Sequence, residues 1–482
     1  MKSKKLENNY YEKLISLNKV FSEISNVSKK INQPAFLIGG YVRDLLLNRS
    51  SNDIDIVTLG SGIDLAQELG KEIKSNKISI FKNFGTAMIK KEDYELQFVG
   101  ARKESYSKDS RNPVVENGTL EDDQKRRDFT INALAIGLNK NDKGVLIDPF
   151  DGISDLENKI IKTPLDPDIT FSDDPLRMMR AIRFSAQLDF NIENSTFDGI
   201  IKNASRINIV AQERITEELN KIILSDHPSK GFKLLDKSGI LEIVFPLFHK
   251  LKGVEFIDGN GHKDNFYHTL QVLENILPHS KNNLWLRWAA ILHDIAKPQT
   301  KRYNPKHGWT FHGHEDKGAR MVPKIFKDLK LPLDEKMRYV QKLVMLHLRP
   351  IALTNERITD SALRRLLFDA GNDIEDLLKL CKSDITSKNK DKVARYLKRF
   401  EIVGEKLKEV EQRDRIKNWQ PPINGKEIMT TYNLKPCKEI GLLKEAIKNA
   451  ILDGEIENNY DEAKVFMEKT ALKMGIKWIQ II

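Results

Sequence analysis

Cysteine is nearly absent: the 482-residue chain has two, Cys381 and Cys437, far apart and in no metal-binding spacing. That excludes a disulfide framework and a cysteine-ligated zinc site, and it fits reduced, inert thiols in the cytoplasm, where the protein is expected to reside. No apolar run approaches the ~18 residues a membrane-spanning helix needs, so no membrane partner is expected. The opening MKSKKLENNYYEKL is charged and has no apolar secretory core. Internal repeats and low-complexity tracts are missing as well, and no protein partner is evident from the sequence.

Hydrophobic residues make up 40% of the chain and charged residues 31%, the balance of a soluble globular protein. The length is too great for one core and implies several domains. A net charge of +10 suits a polyanionic partner. Within residues 1–33, Leu14, Leu17, Phe21 and Ile24 recur at helical spacing and predict a packing helix.

Chemistry concentrates first in residues 35–57, AFLIGGYVRDLLLNRSSNDIDIV. Ala35–Ile38 predicts a short buried strand ended by Gly39 and Gly40, followed by a helix from about Tyr41 and a second strand through Asp53-Ile54-Asp55-Ile56-Val57. On a strand, residues i and i+2 share a face, so Asp53 and Asp55 project together while Ile54 and Ile56 pack behind. Two adjacent carboxylates repel unless one is protonated or a cation bridges them. Oxygen ligands alone favour Mg²⁺. The glycine pair lets the backbone approach a triphosphate and aims N–H groups at it. Together these are parts of a two-metal nucleotidyl-transfer site. Residues 78–81, 86–89 and 95–99 are expected to be further strands of the same sheet. Glu95 is either a third carboxylate near the metals or a surface charge.

Residues 101–125, ARKESYSKDSRNPVVENGTLEDDQK, are polar and of mixed charge, and read as a long loop. Arg126-Arg127-Asp128-Phe129-Thr130-Ile131-Asn132 follows. Two arginines beside an aspartate can lay guanidinium forks on phosphates, and Asn132 offers an amide to a nucleotide; a capped helix with surface arginines would read the same way. Asp148-Pro149-Phe150-Asp151-Gly152 predicts a turn, and beyond about residue 156 the pattern is almost entirely helical. In Ser172-Asp173-Asp174-Pro175-Leu176-Arg177-Met178-Met179-Arg180, Pro175 suits a first helical turn with Asp174 capping it. Asp174 and Arg177 share a face, with Arg180 nearly one turn on. A carboxylate beside a guanidinium presents an acceptor and a donor edge together. On the Watson–Crick edge C and A both offer an exocyclic amine next to a ring-nitrogen acceptor, and U and G do not. A salt-bridged basic helix is the plainer alternative. Residues 213–222 and 227–248 predict helices with a mostly structural role.

Histidine forms the second concentration. His268, His293, His312, His314 and His347 fall within 80 residues, and His293-Asp294 ends an apolar helix. An imidazole and a carboxylate there can share one metal, with Asp384 as a late carboxylate. Spacing alone does not choose between His312 and His314, and His314 is taken as the ligand. Mixed His/Asp ligation accepts Mn²⁺, Ni²⁺, Fe²⁺, Co²⁺ or Mg²⁺, so the divalent metal is not identified by its ligands.

The GG…RD…DxD order, RRDFTINALA and DPFDG together resemble the class II CCA-adding tRNA nucleotidyltransferases and their bacterial poly(A) polymerase relatives, in the DNA polymerase β superfamily. The resemblance implies metal-binding Asp53 and Asp55, and nucleotide-binding Gly39, Gly40, Arg43, Arg126, Arg127, Asp128, Asn132, Asp174, Arg177 and Arg180. Asp44 completes the RD motif. It also implies that residues 101–125, with Arg102, Glu104 and Tyr106, form the family's flexible loop, and that Asp174 and Arg177 act as a protein template for the base. Asp173 stands where the family usually has Glu. The H…HD…H…H…D series over about 262–390 resembles the HD-superfamily metal phosphohydrolases, implying His268, His293, Asp294, His314, His347 and Asp384 as ligands. The PPINGKEIM string, with later Ile440-Gly441, resembles the nucleotidyltransferase family's closing block.

The expected fold class is α+β: a small sheet domain, then mostly α-helical regions. The expected division is a nucleotidyltransferase head over 1–155, a nucleotide-selecting neck and body over 156–255, an HD domain over 256–400, and a tRNA-contacting tail over 401–482. The expected function is addition of C, C and A to the tRNA 3′ end from CTP and ATP with Mg²⁺ in the head, alongside HD phosphohydrolysis. Poly(A) polymerase, or an enzyme adding only CC or A, is the near alternative. An RNA-binding HD hydrolase with an inactive head, or a non-enzymatic RNA-binding module, is the alternative of another class.

Overall fold

In the computed structural model the described residues are 14, 19–75, 77–91, 93–107, 110–257, 260–354, 358–386, 389–417 and 419–476. They form two compact units, Met1–Pro246 and Leu247–Ile482. Leu17 lies outside the described residues, and the lead-in helix is seen as Val20–Lys30, with Phe21 and Ile24 buried.

A seven-stranded mixed sheet organises the first unit. Its strands are β1 (Ala35–Ile38), β2 (Asp53–Thr58), β3 (Ile78–Phe81), β4 (Thr86–Lys91), β5 (Tyr94–Gly100), β8 (Ala135–Gly137) and β9 (Leu146–Ile147), in the order β3-β4-β5-β2-β1-β8-β9. Strand β1 is buried along its whole length, and β2 alternates from exposed Asp53 to buried Ile54, half-buried Asp55 and buried Ile56. The period-two pattern therefore fixes which face carries the carboxylates. Strand β2 pairs with β1 antiparallel and β5 parallel, setting Asp55 opposite both Ile38 and Gln97, and Asp53 opposite Glu95.

Residues 101–125 are not a loop. Strands β6 (Arg102–Ser107) and β7 (Ser110–Asn117) pair antiparallel as a separate two-stranded hairpin, and helix Leu120–Lys125 follows with a capping box of Thr119 and Asp122. Hairpin backbone groups are satisfied by each other, so a polar composition does not prevent strand formation. The Glu104 and Tyr106 side chains lie outside the described ones.

Helices dominate the rest of the unit. Leu176–Leu188 buries Met178, Met179, Ile182 and Phe184, and it packs against Gln212–Leu224 and Pro228–Lys237. The second unit is helical too, but it also contains two short hairpins, Phe256–Ile257 with Asn260–Gly261 and Arg302–Asn304 with Gly308–Thr310. Its C-terminal helices Gly425–Tyr432, Lys438–Asp453 and Tyr460–Lys473 enclose a core that includes Ile428, Tyr432, Leu443, Ile447 and Met467.

Candidate functional sites

The head carboxylates stand where the alternation of β2 puts them. Burial pushes the Asp55 carboxyl above its usual range; Arg127 opposes the shift and the neighbouring Asp53 charge adds to it. A half-buried carboxylate beside a second one, with oxygen donors only, fits a divalent cation. Glu95, opposite Asp53, forms an ion pair with Lys90 at 3.3 Å.

Gly39 has φ +82°, and a Cβ there would lie 2.8 Å from Arg127 Nη1 and 3.1 Å from Asp55 Oδ2. Only glycine lets the β1–helix turn pass beneath that pair. Its N–H donates to the Leu134 carbonyl at 3.1 Å, so this amide serves the sheet instead of facing a ligand. Gly40 opens helix Gly40–Leu46, where a Cβ would meet nothing nearer than Arg43 Nη2 at 3.7 Å.

A chain of ion pairs and amides links the remaining head residues. The buried Arg43 grips Asp44 through two bonds of 2.9 Å and donates to Asn132 Oδ1 at 2.8 Å. The Asn132 amide donates to Asp128 Oδ1 at 3.0 Å, and Arg180 Nε donates to Asp128 Oδ2 at 2.6 Å. Burial alone would raise the Asp128 carboxyl, yet Arg180 and Asn132 bring it down to about 2. Asn132 is therefore engaged at both ends of its amide, between Asp128 and Arg43.

Sequence reasoning missed Asp123. This fully buried carboxylate accepts from Arg126 Nε at 2.9 Å and from Arg127 Nε at 3.2 Å, and so sets the direction of both guanidinium groups. Its spacing, three and four residues before the arginines that follow helix Leu120–Lys125, was the available signal. Phe184 was missed as well: the guanidinium carbons of Arg43, Arg180 and Arg183 lie 4.9, 5.4 and 4.1 Å from its ring centroid. Arg183 also pairs with the buried Glu218 at 3.1 Å. Burial lowers the pKa of Arg183 to about 10 even though Glu218 acts to raise it.

Asp174 and Arg177 line a cleft of about 390 Å³ together with Arg126, Arg127 and Arg180. Asp174 Oδ1 accepts from Leu176 N at 3.2 Å, but Pro175 is the N-cap of that helix and Asp174 ends the helix before it, one residue short of the cap expected of it; Arg177 Nη2 donates to the Arg126 carbonyl at 2.7 Å. Arg214, Glu217 and Lys221 also line this cleft, so the helix read as mostly structural contributes charge to it.

In the second unit His268, His293, Asp294, His314, His347 and Asp384 come together. His314 is buried in the cluster and His312 is exposed. The Nδ1 atoms of His293, His314 and His347 lie 2.7–2.8 Å from the carbonyls of Ala290, Phe311 and Val344. A carbonyl can only accept, so each Nδ1 carries the proton and each Nε2 lone pair faces the centre, the tautomer a metal requires. Asp294 is shared between two sets: its Oδ2 lies 3.4 and 3.2 Å from Nε2 of His268 and His293, and its Oδ1 lies 3.2 and 4.0 Å from Nε2 of His314 and His347. Asp384 Oδ1 joins the first set, 2.9 Å from His268 Nε2. His293 Nε2 and both Asp294 carboxylate oxygens are buried without a hydrogen-bond partner, which fits a cation at either set. Burial pushes His347 down to about 4, which keeps it neutral, and Asp294 and Asp384 favour, against burial, a positive charge at His293 that a bound cation would supply in place of a proton.

A mixed sheet with paired carboxylates on an inner strand, beside an arginine-lined cleft, defines a nucleotidyltransferase head; the second unit adds a histidine–aspartate centre. Residues 35–162 match the poly(A) polymerase head domain, 189–252 the probable RNA- and SrmB-binding site of polymerase A, and 265–370 the HD domain. An A-adding tRNA nucleotidyltransferase of Deinococcus radiodurans is 30% identical over 73% of this chain and 80% of its own. The chain belongs to the tRNA nucleotidyltransferase family. A CCA-adding enzyme of Lactobacillus gasseri is 36% identical over 57% of this chain and 64% of its own. Matches to further curated relatives span between 26% and 64% of those proteins' lengths. A Bacillus stearothermophilus CCA-adding enzyme solved with CTP shares the fold, with TM-score 0.66, 22% identity, and coverage of 95% of this chain and 99% of that one. The nucleotidyltransferase and HD families are metal-dependent. No helix among the described residues is long and apolar enough to cross a membrane.

Proposed function

We propose that this enzyme adds C, C and A to the 3′ end of tRNA from CTP and ATP in the cytoplasm. The observation that carries the reading is the single cleft in which Asp174 and Arg177 stand beside Arg126, Arg127 and Arg180. A base-reading pair and a cationic wall for a triphosphate then serve one nucleotide. Asp53 and Asp55 would hold Mg²⁺, which activates the attacking 3′-hydroxyl and neutralises charge on the departing pyrophosphate. Arg126 and Arg127, aimed by Asp123, bind phosphate oxygens. Asp174 accepts from the exocyclic amine of C or A, while Arg177 donates to the adjacent ring nitrogen. Asp128 holds Arg180, and Arg43 with Asn132 braces Asp128. In the second unit, the shared Asp294 and the inward Nε2 atoms suit one or two divalent cations and hydrolysis of a phosphoester at an RNA 3′ end, which would restore the free hydroxyl the head needs.

The Deinococcus relative, which matches most of both chains, is an A-adding enzyme, and this favours addition of A alone as a second reading. Extension of tRNA transcripts lacking CCA, ending in CC and with the full end, with CTP and ATP singly and together, separates the two. Growth by C, C and A supports the proposal. Growth only of the transcript ending in CC makes it an A-adding enzyme. A long A tail would point to poly(A) polymerase, and no growth to an HD hydrolase with an inactive head.

A further inference from the structure

We propose that a second cavity beside Asp55 holds the 3′-terminal nucleoside of the RNA acceptor strand, with the Phe81 ring as its stacking platform. The inference rests on the nucleotidyl-transfer reading of the head. Such a site must seat two substrates at one pair of carboxylates, and among the described residues of the first unit two cavities share a wall. Arg126 and Arg127 line both the cleft of Asp174 and Arg177 and a cavity of about 430 Å³ that contains Asp55, Phe81, Met88 and Arg102. A triphosphate on the arginine pair can then be met from the Asp55 side by a hydroxyl held in the second cavity. The volume falls in the range of ~300–1,000 Å³ usual for ligand sites.

The walls suit a base. Phe81 ends edge strand β3 and is 46% exposed, an apolar ring left facing water until something covers it. Met88 adds a polarizable thioether, and the polar contribution comes from Gln97, in register with Asp55, and from Arg102. An aromatic platform accepts any base, because every base has a π face. That tolerance is needed where the terminal nucleotide changes after each addition. Arg102 brings positive charge toward the RNA backbone without reading sequence.

The test uses the full chain and a tRNA transcript ending in CC, intact or with an abasic terminal nucleotide. Phe81→Ala is expected to raise KM for the transcript roughly tenfold and to leave KM for ATP unchanged. Phe81→Leu, which keeps apolar bulk but has no ring face, should behave alike should the alanine variant fail to fold, and Phe81→Tyr should restore the wild-type value. Phe84→Ala, on a ring 71% exposed and outside the cavity wall, should change neither constant. The abasic transcript should raise the wild-type KM by a similar factor and cost the Phe81→Ala enzyme nothing more, since both changes remove one contact. An unchanged transcript KM in the leucine and alanine variants, or effects that multiply with the abasic change, overturns the proposal while leaving the head's activity standing. A wild-type enzyme that extends no transcript overturns the head reading and this inference together.

Discussion

Arg180 Nη2 lies 2.5 Å from Asp128 Oδ2, an ion pair that joins the helix bearing Arg177, with Asp174 just ahead of its first turn, to the segment bearing Arg126 and Arg127. Two stretches some fifty residues apart in sequence are thereby fixed as one surface. Asp128 is buried and Arg180 keeps one face toward the cleft, so the pair is both a brace and part of the site. Removing the aspartate would leave Arg180 without its main counter-charge, the costly way to break a buried pair.

The acid limb of stability is one consequence. The Asp128 carboxyl is held at about 2, below its ordinary value of 3.8. A depressed carboxylate stabilises the fold above its unfolded pKa, and that contribution disappears as pH falls through the folded one. Asp128 should therefore contribute about 2 kcal/mol at neutral pH, lost between about pH 4 and pH 2. In urea denaturation from pH 7 to pH 2.5, Asp128→Asn should be less stable near neutrality and should lose less stability than wild type below pH 4. Parallel curves would refute the assignment.

Asp123 is expected to matter as much as the arginines it aims. Asp123→Asn leaves two guanidinium groups beside a buried neutral amide and should destabilise the first unit by about 3 kcal/mol. Among molecules still folded, KM for CTP and ATP should rise at least tenfold, because a misdirected fork loses its paired bonds. Steady-state kinetics combined with a urea melt separates the two effects. An unchanged nucleotide KM would mean that Arg126 and Arg127 hold their direction without Asp123.

The glycine pair divides into two different requirements. Gly39→Ala strains a backbone at φ +82° and drives a Cβ to 2.8 Å from Arg127 Nη1, so it should cost about 1–2 kcal/mol and most of the activity. Gly40→Ala meets nothing closer than 3.7 Å and should leave the melting temperature unchanged or slightly raised. A rise in nucleotide KM for Gly40→Ala at full stability would identify Gly40 as the place where a triphosphate approaches the backbone. Equal loss of stability in both variants would refute the distinction.

Much of this site was legible because it is periodic or local. Asp53 and Asp55 follow from the two-residue period of a strand, Arg177 and Arg180 from their three-residue spacing on one helix, and the histidine series from helix-borne spacing. What the sequence hid was long-range or polar. The β6–β7 hairpin carries no apolar stripe to betray it, since its ladder needs only its own backbone. Asp123 sat at the end of a stretch read as loop, so its i,i+3 and i,i+4 relation to the arginines had no helix to stand on. The choice of His314 over His312 depends on which residue opens helix His314–Asp328, a matter of two residues that spacing alone leaves open.

The two metal-type centres lie in separate compact units, and this sets the last expectation. Asp53→Ala should abolish nucleotide addition and spare phosphoester hydrolysis, because it removes a head carboxylate and touches no histidine ligand. His293→Ala should do the reverse; it deletes an Nε2 donor of the set held by Asp294 and leaves the first unit intact. Chelation of divalent cations should stop both activities. Restoration should then separate them: Mg²⁺ suits the all-oxygen head, while Mn²⁺, Co²⁺ or Ni²⁺ is expected to restore hydrolysis better at a site rich in imidazole. Assays of a labelled tRNA transcript and of a 2′,3′-cyclic phosphate, run on each variant and after each metal, read the two outputs independently. Loss of both activities in either single variant, with the fold preserved by circular dichroism, would mean that the centres depend on each other and that the division into two sites is wrong.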